Sequence, residues 1–214
     1  PLDRSLLATL ITAVHDAGAT AIGLDHRLDH ASPAQLGGAT SDALLLEAVE
    51  SAAPVVFVQG LESTLSSHAA MVSHVLVAPQ PDHVTRHIPL LTSANARTLP
   101  AFGSILYDLS RQRQTPAMEA LVTEAGPPAL VNVVGNGSLD SLPTVPLSAV
   151  LKAAQQLDQT ALETWFKDKV VVILTGAAQD SWLLPTGQSV SGPVIHLHFL
   201  NSLLSHQQLH RPNA

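Results

Sequence analysis

Four short apolar runs, Thr20–Leu24, Val55–Val58, Leu130–Val134 and Val170–Leu174, alternate with segments of helical period along this chain of 214 residues. A run without polar alternation suits a strand covered on both faces, and such strands pair in parallel beneath helices. The alternation therefore predicts an α/β fold, a single domain over residues 1–214 with a mixed but largely parallel sheet covered by helices. No linker or composition shift divides the chain, and no internal repeat is present.

The first helix is predicted from an N-cap at Asp3 through Leu6, Leu7, Leu10, Ile11 and Val14 to a stop at Gly18. After the strand Thr20–Leu24, Asp, His, Ser, Pro and Gly occur without period to about Thr40, which reads as a long loop; loops after strands often carry function. A helix from Ser41 or Asp42 to about Ala53 is stopped by Pro54. Farther on, His68–Ser73 is compatible with a short helix, Val75–Ala78 and Ile88–Leu91 with a hairpin, and Leu99, Phe102, Ile105, Leu106 and Leu109 with a helix. Thr115 to Gly126, Pro146–Leu157 and Thr160–Phe166 are predicted helices, Val194–His196 a strand and Leu197–Ser205 a last helix.

Composition narrows the function classes. The sequence is 46% hydrophobic and 13% charged, too apolar for disorder. Lys and Arg number 10 against 17 Asp and Glu, with no basic cluster, so nucleic acid is excluded as a partner. No apolar run approaches the roughly 18–20 residues of a membrane-spanning helix. The lack of Cys removes disulfides, thiolate nucleophiles and Cys-ligated zinc. The chain begins at Pro1 and ends in Arg211-Pro212-Asn213-Ala214, which reads as a segment of a longer protein. Eleven His stand against a net charge of −7. His83 and His87, which flank Arg86, are the expected centre of any response between about pH 7 and 5.

Several residue patterns could carry chemistry. Asp25-His26 and Asp29-His30 repeat at four residues, a spacing that would gather metal ligands on one face if the segment were helical; the alternative is a solvated loop in which Asp25 alone matters. His196 and His198 would share one side of a strand, a second metal-like pair, or diverge if the strand ends there. Thr175-Gly176 follows the Val170–Leu174 strand as a turn whose N–H groups could hold an anion, but it has neither the Lys of a P-loop nor the glycines of a dinucleotide fingerprint. Gly187-x-Ser189-x-x-Gly192 misses the nucleophile-elbow spacing by one residue. Asp82 and Arg86, four apart, suit a local ion pair. If the strands Thr20–Leu24 and Val170–Leu174 deliver their C-terminal ends together, Asp25, Thr175, Gly176, Asp180 and His196 would line one depression. No cofactor is expected. The competing enzyme reading is a metal-assisted hydrolase using Asp25, Asp29, His26 or His30 with Asp180 and His196.

In order along the chain, these segments resemble a CHASE2 domain. The resemblance runs through Gly18-Ala19-Thr20-Ala21-Ile22-Gly23-Leu24-Asp25, Asp42–Val49 before a Pro-Val-Val strand, and Asp82-His83-Val84-Thr85-Arg86-His87-Ile88-Pro89-Leu90. It ends with Phe166-Lys167-Asp168-Lys169 before an apolar strand, then Asp180, Pro185, Gly192, His196 and Asn201-Ser202-Leu203-Leu204. Two departures stand out: His83 occupies a position where the family usually has Gly, and Gly176 comes two residues late. The resemblance implies a non-catalytic extracytoplasmic sensor of a bacterial membrane-bound signalling protein. It would perceive an unidentified small-molecule or environmental ligand and act through flanking transmembrane segments on a cytoplasmic kinase or nucleotide cyclase. Asp25, Arg86, Thr175, Gly176, Asp180 and His196 are its candidate ligand-binding residues, and a homodimer is compatible with it.

Overall fold

The computed structural model describes residues 3–26, 28, 30–58, 71–73, 75, 77, 80–94, 97–111, 128–174 and 181–209. In chain order they form α1 (Arg4–Asp16), β1 (Ala21–Asp25), α2 (Gly38–Ser51), β2 (Val55–Val58), β3 (Met71–Ser73), β4 (His87–Ile88), β5 (Leu91–Ala94) and β6 (Arg97–Pro100). There follow α3 (Phe102–Ser110), β7 (Ala129–Leu130), α4 (Leu147–Gln155), α5 (Gln159–Phe166), β8 (Val170–Leu174), β9 (Trp182–Leu183), β10 (Ser189–Val190) and α6 (Gly192–Leu204). The architecture is α/β with mixed sheets. The chain packs as two compact units, residues 1–72 with 145–173 and residues 73–144 with 174–214.

The first unit is built on a four-stranded sheet of order β3-β2-β1-β8. β1 and β2 pair in parallel, Ile22 opposite Val55 and Leu24 opposite Phe57, and both strands are buried almost throughout, as their unbroken apolar runs require. β8 lies beside β1, and their starts are tied by hydrogen bonds from Asp168 N–H to the Gly18 carbonyl and from Thr20 N–H to the Lys169 carbonyl, both 2.9 Å. Adjacent strands that start together and run the same way bring their C-terminal ends to one edge. α1 forms where its apolar period predicts: Asp3 accepts from Ser5 N–H at 2.9 Å, and Leu7, Leu10, Ile11 and Val14 are buried against α2 and α4. Gly18, at φ +86°, ends it in a left-handed turn.

The second unit has no continuous sheet among its described residues. Three two-stranded pairs, β4 with β7, β5 with β6 and β9 with β10, are all antiparallel. α3 packs on α6, and Gly103 permits the close approach: a Cβ there would stand 3.0 Å from Phe199 Cδ1 and 3.2 Å from the His196 carbonyl oxygen.

Several local expectations are corrected. Val194–His196 belongs to α6 instead of a strand, because Pro193 sits in the first turn of a helix that starts after Ser191. That helix is buried on most sides, so it lacks the amphipathic period by which it could have been recognised. Met71–Ser73 is a strand, and Leu99 lies in β6, before the helix that begins at Phe102. Of Leu130–Val134 only Leu130 is in a strand. The expected helix at Thr115 to Gly126 and much of Val75–Ala78 lie outside the described residues.

Candidate functional site

Asp25 closes β1 at the edge where β8 also ends, and His26 opens the loop that follows. A polar cluster holds that loop. Arg4, on the buried stripe of α1 and only 6% exposed, donates to Asp42 Oδ1 at 2.6 Å and to the His30 carbonyl. Asp42, in the first turns of α2, also accepts the Ser32 N–H, at 3.3 Å through Oδ1 and 3.1 Å through Oδ2. Burial pushes the Asp42 carboxyl up, but the Ser32 and Arg4 hydrogen bonds and the Arg4 charge together hold it below the ordinary carboxylate value. Burial, and then the positive charge of Arg4, hold the His26 imidazole below its ordinary value.

Neither Arg4 nor Asp42 is among the site residues expected from the sequence. The available signal was positional: Arg4 stands three residues before Leu7 and seven before Ile11, on the face that the apolar period commits to the core. An arginine there needs a partner, and Asp42 is the acid that opens the next helix.

The four-residue repeat of Asp25-His26 and Asp29-His30 does not fall on a helix: Asp25 is in a strand, while His26 and His30 have no helical assignment and Asp29 lies outside the described residues. The shared ligand face which that spacing would create on a helix is therefore not formed. Among the described residues no three His, Asp or Glu side chains converge as a metal site.

In the second unit, Arg86 is bound locally. Its Nη1 donates to Gln80 Oε1 at 2.6 Å and to Asp82 Oδ1 at 3.1 Å, with the other Asp82 oxygen at 2.8 Å, and the Gln80 amide in turn meets His87 Nδ1 at 2.9 Å. Asp82 caps the turn by accepting Val84 N–H at 3.0 Å. That hydrogen bond first, and then Arg86, hold its carboxyl below the ordinary value. The turn passes through His83 at φ +60°, which supplies the physical reason for glycine at the matching position of the family.

His196 and His198 are fully buried on α6. Two residues apart on a helix, they turn about 200° from each other and point to opposite sides, so the strand-type metal pair is not formed. His198 bridges to the segment before the Leu139–Ser141 turn: its Nδ1 accepts from Val134 N–H at 3.3 Å and its Nε2 lies 2.9 Å from the Gly137 carbonyl oxygen. Burial lowers its pKa, and the Gly137 carbonyl partly offsets this. His198 is expected from the sequence only as half of a metal-like pair with His196; its partners Val134 and Gly137 lie more than 60 residues away, and nothing local signals them. Thr175, Gly176 and Asp180 lie outside the described residues. Of the six expected ligand-binding residues, Asp25 belongs to the first unit and Arg86 and His196 to the second.

The parallel β1–β2 core, with helices packed around it, defines an α/β protein. The CHASE2 domain family model matches residues 1–214, and the chain belongs to that family. CHASE2 domains are extracytoplasmic sensory domains. No curated protein and no solved structure gives a significant match. Among the described residues, no helix is long and apolar enough to cross a membrane.

Proposed function

We propose that this chain is a non-catalytic input domain, held outside the cytoplasm between transmembrane segments, which passes an environmental or small-molecule signal to a cytoplasmic kinase or nucleotide cyclase. The observation that carries the reading is the family match over the whole of residues 1–214. The helices give it a physical route. α1 is the first described element and α6 the last, and each is buried along its length in the core of its own unit. A signal that repacks either core changes the populations of helix positions at the ends of the chain, which is all that transmission requires.

Asp25, at the shared C-terminal edge of β1 and β8, is the proposed contact for a polar ligand, because open α/β sheets gather ligands where parallel strands end. Arg86 is a second proposed contact, available once its exchange of partners with Asp82 and Gln80 is permitted. Thr175, Gly176, Asp180 and His196 complete the proposed set.

The test is membrane topology in the full-length gene product. Hydrophobic spans are expected on both sides of residues 1–214, and a phosphatase reporter inserted at a surface turn of the domain should be active only when exported. Absence of flanking spans, or activity of a cytoplasmic reporter at the same position, would overturn the reading. Stoichiometric, tightly held zinc or manganese in the purified chain would count against a non-catalytic domain.

A further inference from the structure

α6 is buried on most sides, and on it the His198 ring is sealed from solvent. Both ring nitrogens are engaged by backbone groups of one short segment. Gly137 offers a carbonyl oxygen, which can only accept, so Nε2 carries the hydrogen; Val134 offers an N–H, which can only donate, so Nδ1 is bare. The surroundings therefore admit one protonation state, the neutral Nε2–H tautomer. The segment is held besides by local bonds: Gly137 N–H donates to the Val134 carbonyl at 3.0 Å, Thr186 Oγ1 to the Asn136 carbonyl at 2.8 Å, and Ser138 N–H and Ser141 Oγ to Asn136 Oδ1 at 2.9 and 3.0 Å. It is also closely fitted, since Gly137 has φ +89° and a Cβ there would fall 2.5 Å from Leu184 Cδ1 and 2.8 Å from Val133 Cγ1. A side chain at Gly137 would be strained by that φ and would press on the Leu184 and Val133 side chains.

We infer that His198 is a proton-operated latch between α6 and the Val134–Gly137 turn, closed when the imidazole is neutral and released when it is protonated. A proton on Nδ1 places two donors, the ring N–H and the Val134 N–H, against each other in a site without water access. One hydrogen bond is lost and a buried charge is left with a single acceptor, so the turn must open to hydrate the ring.

The other titratable or charged groups on the surrounding elements are few. α6 carries His196, with His206 two residues beyond its end, and α3 carries Tyr107 and Asp108, with Arg111 just after it. Arg86 and His87 lie at β4, Asp140 lies in the Leu139–Ser141 turn, and the segment 181–190 has none. Burial and the Gly137 carbonyl are what set the His198 proton affinity. Burial holds it below the ordinary value of 6.5, so the closed turn binds the proton more weakly than the open one. Closure is unaffected above pH 6.5, and below it the open population grows by up to about tenfold per pH unit until the closed-state pKa is reached. The latch rests on the sensor reading only in the step that carries α6 movement to an output.

The experiment is ring-nitrogen and amide NMR of the whole chain from pH 7.5 to 5. The expected result is the Nε2–H tautomer at neutral pH, titration of His198 below 6.5, and Val134 amide exchange that accelerates toward about tenfold per pH unit once corrected for intrinsic chemistry. His198→Gln can still donate to the Gly137 carbonyl but cannot titrate, and should remove the acceleration. An unaltered acceleration in that variant would overturn the latch. So would a wild-type ring that titrates at 6.5 or above, a result that does not depend on the variant folding. Absence of flanking membrane spans would remove the sensor reading and leave this result unchanged.

Discussion

The two units bury different kinds of interior. The first assembles 21 buried apolar residues into one cluster and, among its described residues, buries only Arg4 and Ser41 as polar side chains. The second has an apolar cluster of eight residues and buries seven polar side chains, including Thr85, Asp108, His196 and His198. Apolar packing is non-directional and gives the first unit the character of a scaffold. Buried polar groups must be satisfied by specific partners, so the packing of the second unit depends on particular pairings such as those of His198. Thr85 Oγ1 and Trp182 Nε1 in the second unit, and Thr20 Oγ1 in the first, are buried without a hydrogen-bond partner, so neither interior is fully satisfied in this arrangement. A sensor needs both kinds of interior, one to hold shape and one to change it.

The largest effect that can break the comparison is removal of the ionic exception in the first unit. Asp42→Ala leaves Arg4 buried and uncompensated and should cost about 3 kcal/mol in chemical denaturation. The double replacement Arg4→Met with Asp42→Leu should recover most of that, since no unpaired charge remains. A single-variant loss under about 1 kcal/mol would place the pair with ordinary surface bridges. Hydrogen exchange is the next measure. Amides that hold the first sheet, such as Ile22 on the Pro54 carbonyl, should be protected at least about tenfold more than Val131 on the Arg86 carbonyl. Equal protection would mean that the polar interior opens only with the whole molecule.

Acid should act on both units through different histidines. The His26 and His198 pKa values are both lowered, so each folded form binds its proton more weakly than the unfolded chain. Stability is then complete above pH 6.5 and falls below it, by at most about 1.4 kcal/mol per group for each pH unit. Half-buried His26 should contribute less than this limit, and His26→Gln should remove only the share of the first unit. Asp42 acts in the same direction at lower pH: its stabilisation is present above 3.8 and is lost as pH falls through its lower folded value, giving a second, more acidic step. Thermal melts across pH 7.5 to 3 should separate the steps, and a constant Tm between pH 7 and 5 would contradict both histidine assignments.

Residues that obey a period were legible in the sequence. α1, β1, β2 and β8 fall where apolar spacing places them, because each presents a regular stripe or an unbroken run to a core. The second unit resisted the same reading. α6 is apolar nearly all round, so nothing distinguishes Val194–His196 from a strand until Pro193 is recognised as the first turn. β4, β7, β9 and β10 are two residues each, too short for any alternation to show. In the candidate sites, Arg86 with Asp82 was visible because both partners lie within one turn of chain. Arg4 with Asp42 and His198 with Val134 join residues 38 and 64 apart, and only the folded chain brings them together.

The smallest effects compare how helices end in the two units. α1, α4 and α6 finish with the same pair of hydrogen bonds, in which the two residues after the helix cap donate back to carbonyls of the last turn. The residue that must turn left-handed is Gly18 after α1, Leu157 after α4 and His206 after α6, with φ of +86°, +55° and +56°. A side chain in that conformation costs about 1–2 kcal/mol, partly offset because glycine frees the unfolded chain. Leu157 is 87% exposed and therefore gives up almost no burial. Leu157→Gly should raise stability by about 1 kcal/mol. His206 differs because its Nε2 accepts a hydrogen bond from Arg111 at 3.1 Å, while the neighbouring Gln207 carbonyl accepts from Asn132 at 2.7 Å. His206→Gly relieves the same strain but deletes the Arg111 contact, so its gain should be about half as large or vanish. Equal gains in urea titrations of the two variants would show that the Arg111 contact adds nothing to the end of α6. A loss at His206 would show that this contact outweighs the backbone strain, and that the last helix of the second unit is tied down by polar contacts as its interior is.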